Sequence, residues 1–303
     1  MESFSISASD GHKVACYAWE PRESKAIVQV AHGMGEHARR YEWAARELNN
    51  KGYAVYANDL RGHGETSGPN LGYMGADGWN RSLADIYELG QFLKVKHPGL
   101  KHVLLGHSMG ALLAQQYVTR CGSSIDVLVL SGSPGFRKSQ FEFISRLLMK
   151  LEIWRHGPDG ISRILQKVIF GNSNSSFDCP GSSGYEWLSS DQEVVAGYVA
   201  DRQCGFVLTP QSLLDMFDGV AISQDKNSIM RIPKELPIYI FSGSQDPVHA
   251  GQANLDRLLD IYRKSGLSEI TCKFYPEGRH EMFNEKNKEE VVFELIRWLD
   301  QKL

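Results

Sequence analysis

The residues best able to do covalent chemistry lie in Gly106-His107-Ser108-Met109-Gly110. A serine hydroxyl is a weak nucleophile until a base takes its proton and an acid holds that base. The Gly-x-Ser-x-Gly pattern alone says little in a chain with 29 glycines. Its setting says more. Val103-Leu104-Leu105 ahead of it reads as a buried strand, and Ala111-Leu112-Leu113-Ala114 behind it reads as an apolar helix. A serine on a sharp strand-to-helix turn is presented for attack, and flanking glycines keep Cβ atoms out of the crowded bend. The start of the following helix turns its N–H groups toward charge developing beside Ser108.

In such sites the acid and then the histidine follow the serine along the chain. Asp246 comes just after the apolar run Ile238-Tyr239-Ile240-Phe241, and His280 after Ile270-Thr271-Cys272-Lys273-Phe274. Both fall past strand carboxyl ends, the edge where open α/β sheets place their ligands. Rival acids fit less well: Asp59 precedes Ser108, and Asp126 begins a strand at the wrong edge. Among rival histidines, His63 precedes Ser108, His249 lies three residues beyond Asp246, and His107 adjoins the nucleophile and is expected to point elsewhere. Residues His32-Gly33-Met34-Gly35-Glu36-His37 follow the strand Ala26–Ala31. With Asp59 ending the next strand, their glycine spacing mimics a dinucleotide fingerprint. An oxyanion loop is the better reading, with the Met34 and Met109 N–H groups as paired donors. It completes the site that Ser108, Asp246 and His280 imply, whereas a dinucleotide loop leaves Gly106 to Gly110 without a role.

The elements that must position these residues are short apolar strands alternating with helical patterns. That rhythm predicts a mostly parallel sheet with helices on both faces, opened by a hairpin around Ser9-Asp10-Gly11. The last helix shows its apolar stripe in Val292, Leu295, Ile296, Leu299 and Leu303. Between Leu130 and Ile238 the strands stop and helical pieces take over. We expect residues 135–232 to be a helical cap inserted into a core made of 1–134 and 233–303. The large apolar residues Leu147, Leu148, Met149, Leu151 and Trp154 suit either a packed cap core or an acyl-chain tunnel.

Composition excludes several classes. Lys+Arg at 33 against Asp+Glu at 36 gives a net charge of −3, against a nucleic-acid binder acting through overall charge. A hydrophobic content of 42% argues against disorder. The five cysteines are scattered with no Cys-x-x-Cys, which suggests free thiols in a reducing compartment. No basic-then-apolar leader opens the chain and no run is long enough to span a bilayer, so a cytoplasmic protein is expected. There is no His-Glu-x-x-His and no phosphate-binding Gly-Lys-Ser/Thr, so neither metal nor cofactor is expected.

With these residues in view, the sequence resembles the α/β-hydrolase superfamily, and within it the monoacylglycerol lipase and lysophospholipase-like group of serine aminopeptidase S33-like hydrolases. The matching segments are His32-Gly33-x-Gly35-Glu36-His37-x-x-Arg40-Tyr41, Asp59-x-x-Gly62-His63-Gly64-x-x-Ser67, Gly106 to Gly110, Asp246-Pro247 and Gly278-Arg279-His280. The resemblance implies the α/β-hydrolase fold, an acyl-serine mechanism and no metal. Its substrate would be a small acyl ester with one chain, such as a monoacylglycerol or lysolipid, whose polar head would sit near Glu36 and Arg40. Short-chain or feruloyl-type esterases and thioesterases share the superfamily and form the alternative. A transient contact of the cap with a membrane surface is compatible with this reading.

Overall fold

The computed structural model describes residues 1–135, 142–249 and 251–303. Residues 136–141, at the start of the expected cap, therefore lie outside the described residues. Eight strands form one sheet: β1 (Glu2–Ser7), β2 (Lys13–Trp19), β3 (Ala26–Ala31), β4 (Tyr53–Asn58), β5 (Lys101–His107), β6 (Val127–Ser131), β7 (Ile238–Gly243) and β8 (Ile270–Tyr275). Their spatial order is β1-β2-β4-β3-β5-β6-β7-β8. β1 and β2 form an antiparallel hairpin, β2 pairs β4 antiparallel, and the five remaining pairings are parallel. The expected strands are present, and β7 and β8 run two residues and one residue beyond the apolar runs that announced them.

The helices are α1 (Glu42–Asn50), α2 (Gly64–Ser67), α3 (Gly78–Lys96), α4 (Met109–Cys121), α5 (Glu142–His156), α6 (Arg163–Phe170), α7 (Gln192–Ala200), α8 (Pro210–Ser223), α9 (Lys226–Ile229), α10 (Gln252–Lys264) and α11 (Lys288–Lys302). Side-chain alternation along the central strands assigns them to two faces. Val103, Leu105, Val127, Val129, Tyr239 and Phe241 pack on α1 and α11. Leu104, Leu128, Leu130, Ile238 and Ile240 pack on α3, α4 and α10. A sheet buried on both sides needs continuous apolar runs, as these strands have. One residue of the last stripe departs from expectation: Leu303 follows α11 and is exposed, because the helix ends before it.

Helices α5 to α9 all fall between β6 and β7. Their apolar residues divide in a way the sequence did not reveal. Met149 and Leu165 are buried in the main core and Leu148 packs against it, whereas Phe143, Leu147, Leu151 and Trp154 face solvent. Trp154 is 82% exposed. Of the α5 residues expected in a cap core or a tunnel, Leu148 and Met149 therefore pack in the core, while Leu147, Leu151 and Trp154 serve neither role.

Candidate active site

Because β3, β5, β7 and β8 run parallel, their carboxyl ends share one edge and deliver Met34, Ser108, Asp246 and His280 to it. Ser108 sits between β5 and α4 with φ 53° and ψ −114°, a conformation costly for a residue with a side chain. Its surroundings enforce the bend. The Ser108 N–H donates to Ser131 O at 3.0 Å, continuing the β5–β6 ladder, while Ser108 O already accepts from Ala111 and Leu112. A Cβ on Gly106 would run into the Gly110 carbonyl, and one on Gly110 into the Ala31 carbonyl. The glycines are therefore required by close backbone approach.

Asp246 is buried and accepts three hydrogen bonds: Ser242 Oγ at 2.8 Å and His280 Nδ1 at 2.9 Å on Oδ2, and Val248 N at 2.8 Å on Oδ1. Burial alone would raise its pKa, but the His280 ring and the other donors hold it below the usual aspartate value. For His280, burial works to lower the pKa and the Asp246 carboxylate overcomes it, leaving the ring above an ordinary histidine. With Nδ1–H given to Asp246, Nε2 keeps its lone pair for a proton. His280 and Ser108 both line one cavity of about 430 Å³. Its apolar wall includes Leu112, Ile169, Met216, Phe217 and Val220. Met34 also lines it, and neither the Met34 nor the Met109 N–H donates to any partner among the described residues.

The rival acid is engaged elsewhere. Asp59 accepts from Tyr17 OH, Ala38 N and Glu65 N, which ties the loop after β4 to the segment behind Met34. The expectation for His107 needs correction: its ring turns toward the site, 4.7 Å from that of His280, and its Nδ1 lies 3.2 Å from Ser131 Oγ. Burial pushes its pKa down to about 4, so it is neutral at physiological pH. Glu36 and Arg40 also differ from their expected role beside a substrate head group. Glu36 reaches the cavity wall, but its oxygens already accept from Gly33 N, Tyr41 OH and Arg40. Arg40 is not among the residues lining the cavity and is spent on Glu36 and Glu281. Paired carboxylates outcompete a hydroxyl for a buried guanidinium.

Two segments between β6 and β7 join the site that sequence reasoning did not find. Trp187 O and Leu188 O accept from His280 N at 3.3 Å and Glu281 N at 2.8 Å, and the Trp187 ring stands 5.0 Å from that of His280. Farther along, Tyr198 OH and Gly205 N both donate to Gly35 O, at 2.8 and 2.9 Å. No local pattern marks these contacts, which join residues far apart in the chain. As for metals, one group among the described residues, His37, Asp201 and Cys204, brings possible ligand atoms within 4.8 Å of one another. A 2.9 Å hydrogen bond already joins His37 Nε2 to Asp201 Oδ2.

This geometry can be set beside known proteins. The family model described as serine aminopeptidase, S33, matches residues 22–287. The chain belongs to that family. This S33 hydrolase is 25% identical over 299 residues to a monoacylglycerol lipase of Mycolicibacterium smegmatis, covering 97% of this chain and 95% of that one. It is 36% identical to human monoglyceride lipase over 107 residues, 35% of this chain and 34% of that one. A solved thermostable carboxyl esterase from Bacillus coagulans, in complex with glycerol, aligns with a TM-score of 0.90 and 26% identity over 99% of this chain and 98% of that one. The fold is that of the α/β-hydrolases, and the protein is a serine ester hydrolase similar to monoacylglycerol lipases. No helix among the described residues is long and apolar enough to cross a membrane.

Proposed function

We propose that the S33 hydrolase cleaves single-chain acyl esters, monoacylglycerols or lysolipids, through a covalent acyl-Ser108 intermediate. Ser108 Oγ attacks the ester carbonyl while His280 Nε2 takes its proton, and Asp246 stabilises the resulting imidazolium. The Met34 and Met109 N–H groups hold the oxyanion. His280 then returns the proton to the departing alcohol. In the second half water attacks the acyl carbon, gives its proton to His280, and Ser108 leaves with that proton. The observation that carries this reading is the strained Ser108 and the His280 held by buried Asp246, with Ser108 and His280 both on the wall of one largely apolar cavity.

The substrate class rests on the cavity. At about 430 Å³ it lies near the lower end of ordinary ligand pockets, ~300–1,000 Å³, with room for one chain and a small head. Its apolar wall would reward each buried methylene by about 0.8 kcal/mol. Residues 135–232 act as the cap in this reading. Phe143, Leu147, Leu151 and Trp154 recur at helical spacing on α5 and are exposed, as are Ile161 and Ile164 at α6 and the cations Lys150, Arg163 and Lys167. That face suits transient contact with a membrane surface, where single-chain lipids reside. The buried or partly buried thiols Cys16, Cys121, Cys204 and Cys272 favour a cytoplasmic location.

A fluorophosphonate probe with intact-mass analysis tests the intermediate, since one adduct should form and vanish in Ser108→Ala. Labelling that persists in Ser108→Ala refutes the assignment. A panel of 1-acyl glycerols from about two to sixteen carbons, run beside p-nitrophenyl acetate, feruloyl esters and lysophosphatidylcholine, tests the substrate. Catalytic efficiency should rise with chain length. A peak at acetate or at an aromatic acid would favour a short-chain or feruloyl-type esterase instead.

A further inference from the structure

Arg40 stands behind both halves of the site. Its Nη1 donates to Glu36 Oε2 at 2.7 Å and to Glu281 Oε1 at 2.6 Å, and its Nη2 donates to Glu281 Oε2 at 2.7 Å. Glu281 immediately follows His280. Glu36 belongs to the loop that carries Met34 and accepts from Gly33 N at 2.6 Å. One guanidinium thus joins the segment bearing the base to the segment bearing an oxyanion donor. The guanidinium also lies 4.7 Å from the Tyr198 ring centroid, and Tyr198 OH donates to Gly35 O.

The side chains of this trio are almost withdrawn from water: 12% exposed for Arg40, 4% for Glu36 and 5% for Glu281. Stability alone does not account for it, because well-packed apolar residues of similar volume commonly serve as well or better. What an apolar trio could not do is fix two loops by a planar fork while setting the charge behind the base. His280 feels Asp246 first, then Glu281 and Glu36, all of which favour its charged form. His107 adjoins it as a neutral ring. Arg40 faces Glu36, Glu281, Tyr198 and Cys204, so it is the one cation in this group.

We propose that Arg40 is a positioning residue that locks the His280 loop to the oxyanion loop through Glu281 and Glu36 and offsets their charge behind the base. This inference rests on the acyl-Ser108 reading. It is tested by the acid limb of kcat/KM against pH, with Tm measured alongside. Glu281→Gln removes a negative charge near His280 and should lower the midpoint by at least about half a pH unit. Arg40→Met leaves both carboxylates uncompensated and should raise it. Arg40→Lys should return the midpoint toward wild type while kcat stays reduced, since an ammonium restores charge without the fork.

Should Arg40→Met fail to fold, the double variant Arg40→Met/Glu281→Gln keeps the trio's net charge and supplies the same comparison. Its midpoint should match wild type, with kcat down at least about tenfold because the two loops are no longer clamped. Midpoints that stay fixed in Glu281→Gln and in the Arg40 variants, with only Tm and kcat scaling, would show a purely structural trio and overturn the role of Arg40. Loss of turnover in Ser108→Ala alongside fixed midpoints leaves the acyl-serine reading standing. Turnover that survives Ser108→Ala brings down both.

Discussion

Asp246→Asn is the substitution whose cost can be worked most closely from the structure. Three donors aim at the carboxylate: Val248 N–H at Oδ1, with Ser242 Oγ–H and His280 Nδ1–H at Oδ2. An amide has only one acceptor atom. If its oxygen takes the Oδ1 position, its NH₂ faces His280, which must then present a bare Nδ1 and carry its proton on Nε2. That tautomer cannot accept the Ser108 proton. If the amide turns over, its NH₂ opposes the Val248 N–H, which cannot rotate away, at a cost of about 1–3 kcal/mol. The inert tautomer is therefore favoured by roughly that amount. Loss of the charge that stabilises the imidazolium adds the remainder of about 5.5 kcal/mol, the ~10⁴-fold loss known when a serine protease's acid is amidated. The assay is kcat on a p-nitrophenyl ester, corrected for active sites and with folding checked by thermal melting. A folded Asp246→Asn enzyme within about thirtyfold of wild type would refute the tautomer reasoning. Asp59→Asn provides the contrast, since its contacts lie outside the His280 pair; its folded fraction should acylate within about tenfold of wild type.

Other outcomes follow from the same geometry. Gly110→Ala forces a methyl into the Ala31 carbonyl, so melting should show a loss of about 1–3 kcal/mol and kcat should fall ~10²-fold as Ser108 shifts. Unchanged activity there would mean the elbow relaxes freely. In the proposed acyl-Ser108 mechanism His280 acts as base only when neutral, and its pKa lies above the ordinary 6.5, so kcat/KM should fall as pH drops, with a midpoint above that value. A midpoint below 6.5 would contradict the dominance of Asp246 over burial. Trp154→Glu with Leu147→Glu should cut sedimentation with anionic vesicles at least about tenfold yet leave soluble-ester turnover intact. Equal vesicle binding would remove α5 as a membrane-facing surface.

What could be read in advance was whatever depends on local pattern. Val103-Leu104-Leu105 before Ser108 and the run before Asp246 are continuously apolar because β5 and β7 are buried on both faces, and sheet topology then brings their ends together with that of β8. The glycines at 106 and 110 were legible because backbone crowding in a strand-to-helix bend has a fixed spacing. Contacts set by tertiary placement were hidden. Nothing near Arg40 announces Glu281, 241 residues away, and a lone arginine beside a glutamate reads as readily as a ligand contact or a brace. The α5 stripe misled for a related reason: periodicity reports that one face is apolar, but not whether protein or another phase covers it.

The backbone bonds from His280 and Glu281 to Trp187 and Leu188 bear on how such an enzyme could be rebuilt. They make the stretch around 187–188 an extra edge segment beside His280, so the insertion between β6 and β7 is not an interchangeable module. An exchange of residues 142–171 would keep these bonds and could retune access to the cavity. A wholesale swap that took Trp187 and Leu188 away would leave two buried N–H groups without partners and the imidazole without its neighbouring indole. Drift in the outer helices is thereby separated from drift in the inner stretch, and new specificities would be expected to arise first in the former.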